Sequence, residues 1–140
     1  MKTSFAASGC LLSLVLAATA FAGDSAQFRG PNRDGRFEEQ GLLKAWPEGG
    51  PKVLWVANGI GKGYSSASIA GGRVCITGMR EDETGVLSVL GRDGKLERAI
   101  PYGPETTEKQ APGARSTPTL DGERVYFLSG PGALYCIDLD

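Results

Sequence analysis

Residues 66–77 of this chain come back 51 positions later. Ser66-Ala67-Ser68-Ile69-Ala70-Gly71-Gly72-Arg73-Val74-Cys75-Ile76-Thr77 lies over Thr117-Pro118-Thr119-Leu120-Asp121-Gly122-Glu123-Arg124-Val125-Tyr126-Phe127-Leu128 without a gap. Gly, Arg and Val match identically, and the Ser/Thr, Ile/Leu and Ile/Phe positions match in character. Gly85-Val86-Leu87-Ser88-Val89-Leu90 then falls over Gly132-Ala133-Leu134-Tyr135-Cys136-Ile137 at an offset of 47. The slip of four is assigned to a longer loop, Met79–Thr84, in the first copy. A partial third match sets Lys52-Val53-Leu54-Trp55 over Lys95-Leu96-Glu97-Arg98 at an offset of 43.

Each repeat reads as short strands. Ser65–Ile69, Arg73–Thr77, Gly85–Leu90 and Lys95–Ile100 are short, aliphatic or β-branched, and bounded by Gly-Gly, a polar loop and Asp-Gly. Asp93-Gly94 is a hairpin signal, because the favoured two-residue turn needs positive φ at both central positions. The second copy supplies Ser116–Leu120, Glu123–Leu128 and Ala133–Leu139, and its fourth strand is missing. A period of about 40–50 residues built of four short strands is the signature of a β-propeller blade. A lone blade cannot cover both of its faces, so blades stack until a ring closes. The expected fold class is therefore all-β: a partial β-propeller of about one and a half four-stranded blades. Four blades would take about 160 residues, more than the chain has. The sequence is thus expected to be the N-terminal fragment of a longer protein, stopping inside a turn at Asp140. Lys52–Val56 is expected to be an outer strand belonging to a final blade.

Ahead of the repeats lie two other regions. Residues 1–22 read as a signal peptide: Lys2, then the apolar run Leu11-Leu12-Ser13-Leu14-Val15-Leu16, then Ala20-Phe21-Ala22 as a small-residue cleavage site. That run is too short to span a bilayer. Ala7-Ser8-Gly9 before Cys10 lacks the large aliphatic residue of a lipoprotein box. The chain is expected to be exported to a periplasmic or extracellular space. Residues 23–51 are polar and turn-rich and are expected to form an irregular N-terminal arm, with a helical turn or two at most over Glu38–Ala45. Residues 52–140 form the repeat region.

Composition excludes several chemistries. With no histidine, the chain itself carries no Ser-His-Asp triad, no Cys-His pair and no His-ligated metal. Lys2 is the only charge before Asp24, so the formal net charge of −1 becomes −2 without the leader. That balance offers nucleic acid or an anionic membrane no electrostatic footprint.

The order of motifs points to a family. Gln27-Phe28-Arg29-Gly30-Pro31-Asn32-Arg33-Asp34-Gly35, Gly50-Pro51-Lys52-Val53-Leu54-Trp55, Gly63-Tyr64-Ser65-Ser66, Arg115-Ser116-Thr117-Pro118-Thr119 and Leu134-Tyr135-Cys136-Ile137-Asp138 follow one another along the chain. Together they resemble secreted proteins with pyrroloquinoline-quinone-like (PQQ-like) propeller repeats. The family's repeat carries an Asp, a Gly-Lys turn, and a Trp that docks on the neighbouring blade. The resemblance places that Trp at Trp55, the turn at Gly94-Lys95 and an Asp at Asp138. The first copy departs from it, with Gly91 for the Asp and Arg98 for the Trp. Many members look like scaffolds or binding platforms, so the repeat names a fold more than an activity.

Candidate site residues follow from position. Lys62, Tyr64 and Arg115 precede inner strands, and the resemblance puts such loops at the mouth of a central channel. Arg115 has the planar fork that clamps a carboxylate or a quinone oxygen. Gly59-Ile60-Gly61-Lys62-Gly63 lacks phosphate-loop spacing and a following helix, and reads as a flexible loop. Glu81-Asp82-Glu83 lacks calcium-loop spacing and reads as a solvated loop. Cys75 and Cys136 are expected to be small buried hydrophobes rather than a disulfide. No catalytic or metal-ligating residue is assigned. The expected function is an exported binding or scaffold platform, engaging a protein or small ligand at its rim. The alternative is the beginning of a quinoprotein dehydrogenase that oxidises an alcohol or sugar with PQQ and calcium.

Overall fold

A computed structural model describes residues 23–140. The expected signal peptide, residues 1–22, lies outside the described residues. The described residues are all-β, with seven strands: β1 Ser68–Ala70, β2 Arg73–Met79, β3 Thr84–Gly91, β4 Leu96–Pro104, β5 Thr119–Asp121, β6 Arg124–Leu128 and β7 Leu134–Asp138. They form two antiparallel meanders, a four-stranded sheet β1-β2-β3-β4 and a three-stranded sheet β5-β6-β7. The two sheets stay separate and enclose one shared core.

The ladders follow the repeat. Ser68 pairs with Cys75 and Val74 with Leu90 in the first sheet; Thr119 pairs with Tyr126 and Val125 with Ile137 in the second. These are the same rungs displaced by 51 and 47 residues. The slip of four has a different origin from the longer loop expected over Met79–Thr84. In the first copy Arg80 N–H donates to Thr84 O (2.8 Å) and Glu83 N–H to Arg80 O (3.1 Å). In the second, Ser129 N–H donates to Ala133 O and Gly132 N–H to Ser129 O, both at 2.9 Å. Both tips are the same three-residue loop. The extra residues instead lengthen the ladder, whose rungs run on to Gly78↔Val86 and Met79↔Gly85, whereas the second ends at Leu128↔Leu134.

The β3–β4 turn uses the same loop, with Gly91 N–H on Lys95 O and Gly94 N–H on Gly91 O, both at 3.0 Å. Only Gly94 of the Asp93-Gly94 pair has positive φ, at 81°. The loop is therefore a three-residue turn closing on a left-handed glycine, not the two-residue turn expected, and the Leu90↔Leu96 rung is shifted by a bulge beside it. The two-residue turn occurs instead at Gly71-Gly72, both with positive φ.

The core lies between the sheets. Cys75, Leu87 and Val89 of the first sheet meet Leu120, Val125 and Phe127 of the second, with Leu139 alongside. Tyr102, Phe127 and Tyr135 close one end, the Tyr102–Phe127 ring centroids 4.6 Å apart and edge-on. The aromatic quadrupole favours that approach.

The arm contains no helix; Glu38–Ala45 is irregular. Its start is fixed. Ser25 exchanges two backbone hydrogen bonds with Ile69, and Ala26 O accepts from Leu120 N–H. Asp24 accepts from Gly71 N–H (3.1 Å) and Arg92 Nη2 (2.7 Å). The arm thus touches β1 and β5, the first edge strand of each sheet. Lys52–Val56 is not in a sheet: the chain runs from Lys52 to Gly59 without turn or bend.

Candidate functional site

The lead-ins to β1 and β5 run side by side. Gly63 and Ala114 form a parallel bridge, and Tyr64 N–H donates to Ala114 O (2.7 Å). Ser65 Oγ donates to Ser116 O (3.0 Å), Ser66 N–H to Thr117 Oγ1 (3.2 Å), and buried Ser68 Oγ to Pro118 O. Thr77 Oγ1 also donates to Ser116 O, at 2.8 Å. Small hydroxyls suit this seam because each satisfies a backbone group that no sheet ladder reaches. The sequence comparison registered these serines and threonines only as matches in character. Their recurrence at a constant offset was the signal of a side-by-side contact.

Glycine makes the approach possible. A Cβ on Gly63 would stand 2.4 Å from Ala114 O, and one on Gly61 would stand 2.8 Å from Met79 N. Lys62 and Met79 exchange two backbone hydrogen bonds at 2.8 Å. The Gly59–Gly63 segment is therefore pinned to β2 and to the second repeat, where a flexible loop was expected.

The three rim candidates separate. Tyr64 and Arg115 line one cleft of about 350 Å³ with Phe28, Ser66, Ser116 and Thr117. Phe28 and Tyr64 are more than half exposed there. Arg115 Nη2 donates to Glu108 Oε2 (2.9 Å) and Ala111 O (2.8 Å). Its other guanidinium nitrogens have no protein partner among the described residues. Lys62 faces a second cleft of about 530 Å³, lined by Ala57–Gly61, Met79, Arg80 and Glu81, where its Nζ pairs with Glu81 Oε2 at 3.0 Å. An exposed pair of this kind contributes little.

The acidic run is a turn. Asp82 Oδ1 accepts from Thr84 N–H (3.1 Å), and that hydrogen bond holds its carboxyl below the usual range. Among the described residues no group of three or more His, Cys, Asp or Glu side chains is placed to hold a metal ion. Cys75 is buried and its thiol pushed up to about 11 by burial; Cys136 is exposed, contrary to expectation, because it lies on the face of β7 opposite Tyr135 and Ile137, which pack on the core.

Sequence reasoning missed Glu105, an acid only 4% exposed. Tyr102 Oη donates to its Oε1, while Gly130 N–H (2.7 Å) and Thr106 N–H (3.3 Å) donate to its Oε2. Glu105 N–H in turn donates to Glu83 O (3.1 Å). Glu105 therefore ties together the hairpin tips of both sheets, its backbone N–H on Glu83 of the first and its carboxylate on Gly130 of the second. Burial first, and Glu105 second, drive the Tyr102 hydroxyl well above its ordinary pKa. No local pattern distinguishes Glu105 from the other acids.

One further contact recurs at the repeat offsets. Trp55 lies across Gly94, where a Cβ would stand 2.5 Å from the indole, and its Nε1 donates to Arg92 O at 2.9 Å. Arg98 Nη1 donates to Leu139 O at 2.7 Å. Trp55 and Arg98 are 43 residues apart, and Arg92 and Leu139 are 47 apart, the offsets of the repeat. Arg98 thus makes the matching contact without a Trp, using a guanidinium N–H where the indole N–H stands in the other copy.

Comparison with protein-family models, with curated proteins and with solved structures finds no match to this chain.

Proposed function

We propose that this chain is an incomplete β-propeller of the PQQ-like repeat type, exported, and serving as a binding platform in a longer parent protein. The supporting observation is the paired docking bond: Trp55 to Arg92 O and Arg98 to Leu139 O recur at the repeat offsets. Neighbouring blades that stack in one rotation would repeat such a contact each time. The side-by-side lead-ins to β1 and β5 fit inner strands around a channel, and the Tyr64–Arg115 cleft opens at their start. Two exposed aromatic faces, a guanidinium with unused donors and three hydroxyl residues suit a small ligand with an apolar face and a carboxylate.

The test titrates the purified chain with benzoate, citrate and PQQ, reading binding by calorimetry. We expect saturable binding of a carboxylated ligand that falls about tenfold in Arg115→Ala, the loss of one charge-assisted contact. No binding of any of them overturns the rim reading. A parallel assay adds PQQ, calcium and an alcohol with a reducible dye. Turnover there replaces the platform with the quinoprotein dehydrogenase reading.

A further inference from the structure

Arg115 takes its aim from the loop that runs from Thr106 to Ala114. Both bonds of its Nη2 end there, on Glu108 Oε2 (2.9 Å) and Ala111 O (2.8 Å). Ala111 N–H donates to Glu108 O (3.1 Å), so the two partners belong to one turn. Gly113 N–H donates to Thr106 O (2.8 Å) and closes the neck of the loop. Thr107, Glu108, Lys109 and Gln110 at its tip are exposed. An exposed tip cannot hold a guanidinium still, so the grip must come from the ends of the loop.

The two ends are gripped differently. Backbone holds the exit: Ala114 is fully buried, its O accepts from Tyr64 N–H (2.7 Å), and a Cβ on Gly113 would stand 2.4 Å from Lys62 O. One side chain holds the entry. Glu105 Oε2 accepts from Thr106 N–H (3.3 Å), at the first residue of the loop, and from Gly130 N–H (2.7 Å) at the β6–β7 tip. Its Oε1 accepts from Tyr102 Oη, and the Tyr102 ring is itself packed against Phe127 and Tyr135. A Cβ on Gly130 would stand 2.7 Å from Thr106 Cβ and 2.9 Å from Glu105 Oε2, so only glycine lets the tip come this close to the loop. A buried acid is costly unless donors surround it, and three donors do so here. They come from β4, from the loop and from the β6–β7 tip, segments that share no sheet ladder.

We infer that Glu105 is the positioning residue of the Tyr64–Arg115 cleft: its carboxylate clamps the 106–114 loop to the core, and the loop aims Arg115 at the ligand. The inference rests on the reading of that cleft as a carboxylate site and adds what sets its geometry. Glu105 lines no part of the cleft and acts through the loop.

Three variants test it. Glu105→Ala removes the clamp. Gly130→Ala pushes it apart from the other sheet without altering the loop. Glu105→Gln keeps all three contacts, since its amide oxygen accepts from both N–H groups and its amide nitrogen donates to Tyr102 Oη. The full chain carrying each is titrated with benzoate and citrate by calorimetry and digested briefly with trypsin. The digestion reads cleavage after Lys109, in the loop, as a ratio to cleavage after Arg124, in β6. A general loss of stability speeds both and leaves the ratio no higher. In Glu105→Ala and Gly130→Ala we expect the ratio to rise about tenfold and carboxylate affinity to fall about fivefold. Glu105→Gln is expected to match the unaltered chain in both. An unchanged ratio in Glu105→Ala overturns the clamp, and a raised ratio with unchanged affinity overturns its link to Arg115. Glu105→Gln behaving like Glu105→Ala overturns the positioning role, because the contacts would be kept and the aim lost. If the unaltered chain binds neither ligand, the carboxylate reading falls and the aim at a ligand with it, while the ratio still decides whether Glu105 clamps the loop.

Discussion

The strands β3 and β7 are counterparts in the repeat, yet they live in different surroundings. Along β3 every residue after Thr84 is buried; along β7 residues alternate between exposed and half-buried. The sequences do not explain this, since Gly85–Leu90 and Gly132–Ile137 are comparably apolar. Position does. β3 sits between β2 and β4, while β7 is an edge strand with one face on the shared core and the other on solvent. Burial here belongs to the place a strand holds in the stack, and a repeat sequence carries the capacity to be buried at every place.

The sharpest way to break that comparison is to truncate matched leucines. Leu87 is fully buried and Leu134 is 71% exposed, at equivalent positions. Leu87→Ala is expected to cost about 3 kcal/mol, from lost transfer energy and the cavity left behind. Leu134→Ala is expected to cost under about 0.5 kcal/mol. Urea unfolding of the two variants measures both; equal costs would mean that the two sheets share one environment.

The cysteines sharpen it next, one in each sheet. Burial raises the folded Cys75 thiol from 9.0 to about 11. A raised folded pKa gives stability that is intact below the unfolded value. It is then lost as pH rises through the folded one, because the unfolded thiol ionises first. Between pH 9.0 and about 11, the chain is expected to lose about 2 to 3 kcal/mol through this group. Cys75→Ala flattens that window when unfolding is followed against pH. The raised Tyr102 hydroxyl leaves a further decline at higher pH. In the native chain a maleimide is expected to label exposed Cys136 at once and Cys75 only on unfolding.

How much of this was legible beforehand divides along the same line. All seven strands and the pairing of the copies could be read from the recurring Gly-Arg-Val and the β-branched runs, because strand periodicity is local. The origin of the four-residue slip could not. A longer loop and a longer ladder insert the same number of residues, and only hydrogen bonding separates them. The resemblance singled out Trp55, whose indole lies across Gly94, and noted Arg98 only as a departure, although Arg98 makes the matching bond to Leu139 O. The union of Tyr64 with Arg115, the diversion of Lys62 to Glu81, and the burial of Glu105 all depend on which loops meet across the seam. Residue order does not encode that.

The smallest effect concerns the hairpin tips, where the comparison can be made at a single residue. The β2–β3 and β6–β7 loops share one hydrogen-bond pattern, and each closes on a residue with positive φ. In the second sheet that residue is Gly132, at 95°; in the first it is Glu83, at 66°. A side chain in the left-handed region meets its own carbonyl and costs about 1 kcal/mol. Glycine avoids that cost but loses more chain entropy on folding. Glu83→Gly is therefore expected to stabilise the chain by about 0.5 kcal/mol, with strain relief exceeding the entropy term. Gly132→Ala is expected to destabilise it by about 1 kcal/mol, and through backbone strain alone, since nothing lies within 4 Å of where its Cβ would stand. Paired thermal melts decide the matter. If Glu83→Gly destabilises instead, the Glu83 tip is held by more than its backbone, and the loss of order at the neighbouring Glu105 bond to Glu83 O would be the place to look.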